Sequence, residues 1–429
     1  MTSPDSLWPA PSSTAIDARV HVPGSKSQNN RELVLAALAE EPTTLTGALQ
    51  SRDSDLMVDA LRALGADIVV EGSTVTVTPG PIEGPAEIDC GLAGTVMRFV
   101  PPIAALARGA VTLDGDPHAR ERPMAPVLNA LTDLGVQVTS PAGQEPPTHL
   151  PVTVHGEGEL AGGEVEVDAS ASSQFISSLL LAAPRYTRGL LVRHVGERSP
   201  SVPHIVMTVD ALRSRGVEVE TGPNEWRVHP GPIRGGTIAI EPDLSNAGPF
   251  LAAALATGGT VRVPGWPART SQPGDLLRDL LTQMGAEVTL TEGTLRVTGP
   301  GRITPLRADL SAAGELTPTL AALCTLADGE SELTGIAHLR GHETDRLSAL
   351  VTEITRLGGH AQELPDGLRI HGGVARLHGA DMETYDDHRM ATFAAIIGLA
   401  VPGVQIRNIG TTAKTIADFP GMWHEMIGV

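Results

Sequence analysis

Seven short stretches of this 429-residue chain gather side chains that can grip an anion or move a proton. In Pro23-Gly24-Ser25-Lys26-Ser27-Gln28-Asn29-Asn30-Arg31, a small-residue turn opens a helix with free backbone N–H groups, hydroxyls and two cations. That composition suits a phosphate cradle, although the spacing is not that of a P-loop, and an ordinary capped helix start fits equally well. Gly91-Leu92-Ala93-Gly94-Thr95-Val96-Met97-Arg98 lets a ligand approach the backbone, with Thr95 able to cap, or it simply lets helices pack closely. His118-Ala119-Arg120-Glu121-Arg122-Pro123 is a basic cluster with a proline placed to start a helix, or a solvated loop. Asp168 to Gln174 supplies three serines and an amide at another helix start, or an over-provided N-cap.

The remaining three stretches carry acids beside cations. In Gly341-His342-Glu343-Thr344-Asp345-Arg346, Glu343 and Arg346 share a helical face, and the bland reading is a surface ion pair worth about 0.3–0.5 kcal/mol. Asp386-Asp387-His388-Arg389-Met390 and Thr411-Thr412-Ala413-Lys414-Thr415 complete the set. A His–Asp pair suggests a hydrolytic triad, but no serine sits in a nucleophile elbow, so a hydrolase is disfavoured.

Composition narrows the ligand. Against 50 acidic residues stand 31 basic ones, a formal charge of −19, which disfavours a nucleic-acid binder. Only Lys26 and Lys414 are lysines; every other basic residue is arginine. An ammonium is a compact charge whose pKa can move, and a guanidinium is not, so these two positions invite a chemical role. Two distant cysteines, Cys90 and Cys324, exclude a disulfide scaffold, and no Cys/His zinc spacing occurs. No apolar run is long enough to span a membrane and no signal-peptide pattern opens the chain, so a cytoplasmic protein is expected.

The elements that must position these groups repeat. Glycines at 65, 135, 216, 285 and 358, spaced 69 to 81 residues apart, each follow an amphipathic helical pattern, as a helix C′ glycine does. Before each comes a small or polar turn leading into an Ala/Leu-rich helix without a polar face, expected to be buried. A last helix, about 413–426, makes a sixth copy. The reading is α/β, six copies of strand–helix–strand–helix–strand–strand, three in a first domain over 24–241 and three in a second over 1–23 plus 242–429. If the six buried helices start near one interdomain cleft, their positive ends make that cleft attractive to a strongly anionic ligand in an acidic protein.

In this order and on this repeat, the motifs resemble the enolpyruvyl transferase family from about Ser12 to Met426. The most specific pieces are Pro23 to Arg31, Ala93 to Arg98, Glu121-Arg122-Pro123, Ser172-Ser173-Gln174-Phe175, Glu343 to Arg346, Asp387 to Met390 and Thr412 to Thr415. The resemblance implies a two-domain inside-out α/β barrel and transfer of the enolpyruvyl group of phosphoenolpyruvate to the 5-hydroxyl of shikimate 3-phosphate, with loss of phosphate and no metal or organic cofactor. By the same resemblance, Lys26, Gly94, Arg122, Gln174, Arg346, Arg389 and Lys414 bind phosphoenolpyruvate. Lys26, Ser27, Arg31, Ser172, Ser173, Gln174, Ser201, Glu315 and His342 face shikimate 3-phosphate, as does His338. Glu315 is assigned as base for the 5-hydroxyl, and Glu343 and Lys26 as candidate donors of the proton to carbon 3.

Three positions depart from the family's commonest pattern: Glu315 stands where many members have Asp, His342 where many have Lys, and His338 where many have Asn. The sister activity on a UDP-N-acetylhexosamine typically has a cysteine in the loop matching 118–122, and none is there. A non-catalytic anion-binding module is disfavoured by the intact Lys26, Glu315, Glu343 and Lys414. The expected partners are these two small molecules, with no nucleic acid or membrane, and a monomer is the default.

Overall fold

The computed structural model describes residues 6–429 except 142, 144, 145 and 198–200. The chain divides into two compact units: Gly24–Ile240, and the described residues up to Pro23 together with Glu241–Val429.

In the first unit three four-stranded sheets share one order, a parallel pair followed by two antiparallel strands. One runs Ala86–Asp89, Arg108–Asp114, Val152–Glu157, Gln137–Thr139, and the next Gly163–Asp168, Leu190–Val195, Glu225–Val228, Val219–Gly222. The remaining sheet borrows its first strand from the end of the unit: Gly236–Ala239 pairs in parallel with Thr43–Thr46, followed by Thr74–Thr78 and Asp67–Glu71. The second unit uses the same device in reverse, since Asp17–Arg19, from the start of the chain, lies parallel to Thr260–Pro264. Its last sheet keeps three strands, and Leu7–Pro9 closes it against Gln405–Arg407. All six sheets among the described residues are open, and the α/β architecture of repeated strand–helix units expected from the sequence is present without a closed barrel of strands.

The bundles form because their helices, Lys26–Ala37 apart, are mostly apolar and bury nearly all of their residues. In the first unit Lys26–Ala37, Gly94–Ala104 and Gln174–Ala182 pack on one another, and every residue of Gly94–Ala104 is buried. In the second, Leu244–Thr257, Thr317–Leu326 and His388–Ala400 do the same. Each unit has its own continuous apolar core. The outer amphipathic helices end as the spacing of glycines predicts, with Gly65, Gly135, Gly216, Gly285 and Gly358 all at positive φ.

Local expectations need four corrections. Lys26–Ala37 does not lack polar groups: Asn29, Asn30, Arg31 and Glu32 are buried within it, each matched by partners from other elements. Thr95 caps nothing; its Oγ1 accepts from Asn30 Nδ2 at 2.7 Å. Pro123 does not start a helix, because Pro117–Glu121 is a 3₁₀ turn and the next helix is Ala125–Asp133, with Pro126 in its first turn. The last helix is Phe419–Ile427, started by the Asp418 cap and Pro420, and Lys414 ends a separate 3₁₀ turn, Ile409–Lys414.

Candidate active site

In the first unit most candidate residues stand on or just before helix N-termini, while Arg31 lies in the second turn of its helix. Ser25 caps Lys26–Ala37 by accepting from the Gln28 N–H, which puts Lys26 in the first turn, where its Nζ donates to Asp53 Oδ2 at 3.2 Å. Asp53 is 4% exposed in its side chain and is the second residue of the next helix, Arg52–Ala63, capped by Ser51. Nothing in the candidate motifs named Asp53. The signal was an acid in the first turn of a Ser-capped helix, but only packing brings that helix to Lys26.

Gly94 is the first residue of its helix, and its lack of a side chain matters. A Cβ there would sit 2.9 Å from Arg122 Nη2 and 3.3 Å from Arg98 Nη1. Arg122 therefore lies over the bare helix start, with Nη1 donating to the Leu92 carbonyl at 3.1 Å and Nε buried with no hydrogen-bond partner. Arg98 Nη1 donates to Gln174 Oε1 at 2.8 Å, and the Gln174 N–H donates to Ser172 Oγ. Ser173 is buried at the N-cap but makes no side-chain cap bond.

Arg31 is 1% exposed, and four of the five N–H donors of its guanidinium are engaged by protein atoms. Nε donates to Thr208 Oγ1, Nη1 to the Ser27 carbonyl, and Nη2 to Ser177 Oγ and the His204 carbonyl, while the group stacks over Phe99. Burial pulls its pKa down to about 9, with Glu32 opposing. Arg31 thus ties Ser27 to the helix Val202–Ser214, whose N-cap Ser201 adopts a left-handed conformation. Hydrogen bonds accordingly connect Lys26–Ala37 to the helices bearing Gly94, Gln174 and Ser201.

The second unit gathers the other candidates. Glu343 is 9% exposed and held between two cations: Oε1 accepts from Lys414 Nζ at 2.5 Å and Oε2 from Arg346 Nη2 at 2.9 Å. Arg346, 2% exposed, also donates through Nε to Asp387 Oδ2 at 2.7 Å. Burial alone would lower the Arg346 pKa, but Asp387 and Glu343 outweigh it and raise it. The pair is therefore no surface ion pair. Arg346 Nη1 lies 3.2 Å from His342 Nδ1, and because a guanidinium has only donors, Nδ1 is the acceptor and Nε2 carries the proton.

Arg389 sits in the first turn of His388–Ala400, capped by Asp387, and its Nη1 donates to the Ser245 carbonyl. Burial, then the nearby Arg346 charge, lowers its pKa. Ser245 Oγ in turn donates to Glu315 Oε1 at 3.3 Å. His338 leans over Gly314, where a Cβ would meet its Nε2 at 2.6 Å, and burial lowers its pKa. Its ring meets that of His342 edge-on at 5.7 Å. The second-unit candidates Glu315, His338, His342, Glu343, Arg346, Arg389 and Lys414 thus form one linked cluster. Chemically, it offers a nearly buried carboxyl beside an amine, fixed guanidiniums for phosphate or carboxylate, and a second carboxylate near a hydroxyl.

The chain matches the family described as EPSP synthase (3-phosphoshikimate 1-carboxyvinyltransferase) over residues 11–423. A 3-phosphoshikimate 1-carboxyvinyltransferase of Kocuria rhizophila is 53% identical, with 99% of this chain and 97% of that protein aligned. An EPSP synthase structure from Acinetobacter baumannii superposes with a TM-score of 0.82 at 25% identity, covering 98% of both chains. An enolpyruvyl transferase from Streptomyces tendae shares the fold, with a TM-score of 0.78 at 18% identity over 98% of this chain and 97% of that one. On the full-length family match and the identity to the Kocuria enzyme, this chain belongs to the EPSP synthase family.

Proposed function

We propose that the protein transfers the enolpyruvyl group of phosphoenolpyruvate to the 5-hydroxyl of shikimate 3-phosphate, releasing phosphate, as a transferase of aromatic amino acid biosynthesis. The observation that carries this reading is Glu343 clamped between Lys414 and Arg346, an acid and a movable proton charge in one shielded place. Lys26, Gly94, Arg122, Gln174, Arg346, Arg389 and Lys414 hold phosphoenolpyruvate. Lys26, Ser27, Ser172, Ser173, Gln174, Ser201, His338 and His342 hold shikimate 3-phosphate. Arg31 belongs to the same shikimate 3-phosphate set and also fixes Ser27, with four of its five N–H donors on protein atoms.

In the addition step Glu315 takes the 5-hydroxyl proton as the oxygen attacks carbon 2 of phosphoenolpyruvate. Glu343, or Lys26 backed by Asp53, delivers a proton to carbon 3. The tetrahedral adduct then loses a proton from that carbon and expels phosphate, whose growing charge the arginines stabilise. No helix among the described residues is long and apolar enough to cross a membrane. Cytoplasmic location and a monomeric state belong to the same proposal.

The test is phosphate release from phosphoenolpyruvate with either shikimate 3-phosphate or UDP-N-acetylglucosamine as acceptor. Release with the first alone supports the reading. Release with the second identifies the sister activity, and release with neither points to a binding module.

A further inference from the structure

A strained turn joins two of the cation-bearing segments of the second unit. Tyr385 and Asp386 are consecutive residues with φ of 54° and 53°, a left-handed conformation that bulky side chains rarely adopt and that persists only when neighbours hold it. One side of the turn is pinned by Glu353, whose side chain is 0% exposed. Its Oε1 accepts from the Tyr385 hydroxyl at 2.7 Å and its Oε2 from the Glu383 N–H at 3.1 Å. The other side is tied by Asp386: its Oδ1 accepts from Asn408 Nδ2 at 2.7 Å, and its carbonyl accepts from Thr411 Oγ1 at 2.9 Å. Asn408 is itself left-handed, at φ 53°.

The residues that follow each anchor are the informative ones. Asp387, next to Asp386, has no exposed side-chain surface, binds Arg346 and caps the helix that carries Arg389. Thr411 lies inside the 3₁₀ turn that ends in Lys414. Asp386 is exposed, packs no core, and is not among the residues that hold substrate.

We propose that Asp386, with Asn408 and Thr411, is a positioning strap that sets Lys414 against Glu343 and Arg346. It acts on phosphoenolpyruvate through Lys414 and on nothing that contacts shikimate 3-phosphate directly. Loss of the strap frees the 409–414 turn to carry its ammonium away from Glu343, while Asp387 keeps Arg346 in place.

The inference rests on the function proposed above, and the experiment separates the two. Steady-state phosphate release is measured with both substrates for the wild-type protein and for Thr411→Val, Asp386→Ala and Asp386→Asn, with thermal unfolding alongside. Thr411→Val removes one hydrogen bond without changing the backbone requirement. Asn at 386 keeps an acceptor and tolerates the left-handed turn. Removing one such bond shifts an equilibrium about two- to tenfold, so Thr411→Val and Asp386→Ala are expected to raise KM for phosphoenolpyruvate by that factor. KM for shikimate 3-phosphate stays unchanged, Asp386→Asn behaves as wild type, and Thr411→Val unfolds at the wild-type temperature. An inactive wild-type protein overturns the function. An active wild type with unchanged Thr411→Val and Asp386→Ala kinetics, or with both KM values moving together, overturns the strap.

Discussion

Lys414 and Glu343, 71 residues apart in the chain, meet with Nζ 2.5 Å from Oε1, each about nine-tenths shielded from solvent. The second oxygen of the same carboxylate takes a hydrogen bond from Arg346, so Glu343 is the shared counter-ion of two groups assigned to phosphoenolpyruvate. In the proposed reaction that carboxylate balances charge before phosphoenolpyruvate binds and carries a proton once the phosphate's own charge has entered.

Replacing Glu343 by Gln preserves shape but removes the transferable proton and the counter-charge. Turnover at saturating substrates is expected to fall by about 10²-fold or more, with much smaller changes in both KM values, in phosphate-release assays. Near-normal turnover removes Glu343 from the mechanism.

Gly94→Ala puts a methyl 2.9 Å from Arg122 Nη2. The obstacle is the far end of a side chain, and alanine is a good helix former, so folding stability is retained. The displaced guanidinium weakens its grip on phosphoenolpyruvate, and KM for that substrate should rise roughly tenfold, the factor for losing a charge-assisted hydrogen bond. An unchanged KM would show that Arg122 does not face the donor substrate.

Asp387→Asn leaves Arg346, 2% exposed, with Glu343 as its remaining anionic partner. Breaking a buried pair in this way is expected to cost about 3 kcal/mol, read as a loss in chemical denaturation. Asp345→Asn at the neighbouring cap, whose side chain is 41% exposed, is the control and should cost far less.

His338 titrates below the ordinary histidine value of 6.5, first because it is buried, with Glu315 pulling the other way and Arg346 adding to the fall. The unfolded chain therefore binds a proton there before the folded one does. Stability from this group is fully present above pH 6.5 and declines as pH falls from there toward the folded-state value. The unfolding temperature of wild type should drop over that range more steeply than that of His338→Asn. Parallel curves would assign the acid sensitivity to other groups.

What a residue contacts was legible only where the contact is local. The three-residue spacing put Glu343 near Arg346, but not on the helical face expected, because Glu343 lies in the bend before the Asp345 cap of Arg346–Arg356; Asp387 before Arg389 reads as a cap. Asp53 beside Lys26, Asp387 against Arg346, and Thr208 and Ser177 around Arg31 carry no such signal, because their separations of 27 to 177 residues are closed by helix packing. Arg31 shows the limit in another way. Its motif marks it as a cation near the substrate, but whether its donors meet a ligand or the protein depends on how the Val202–Ser214 helix packs over it.

By itself, the amino-acid sequence determined the repeat, the helices that must be buried, and where the outer helices stop. Each of these is set by periodicity or by a glycine at a required positive φ, which are properties of a few adjacent residues. The tertiary structure alone decided that Gly236–Ala239 and Asp17–Arg19 complete sheets begun elsewhere in the chain, that the sheets stay open, and that Glu343 is shared by two cations. The physical reason is that strand pairing and buried charge compensation depend on which distant surfaces are pressed together when the apolar helices leave water, and local propensity does not choose among those surfaces.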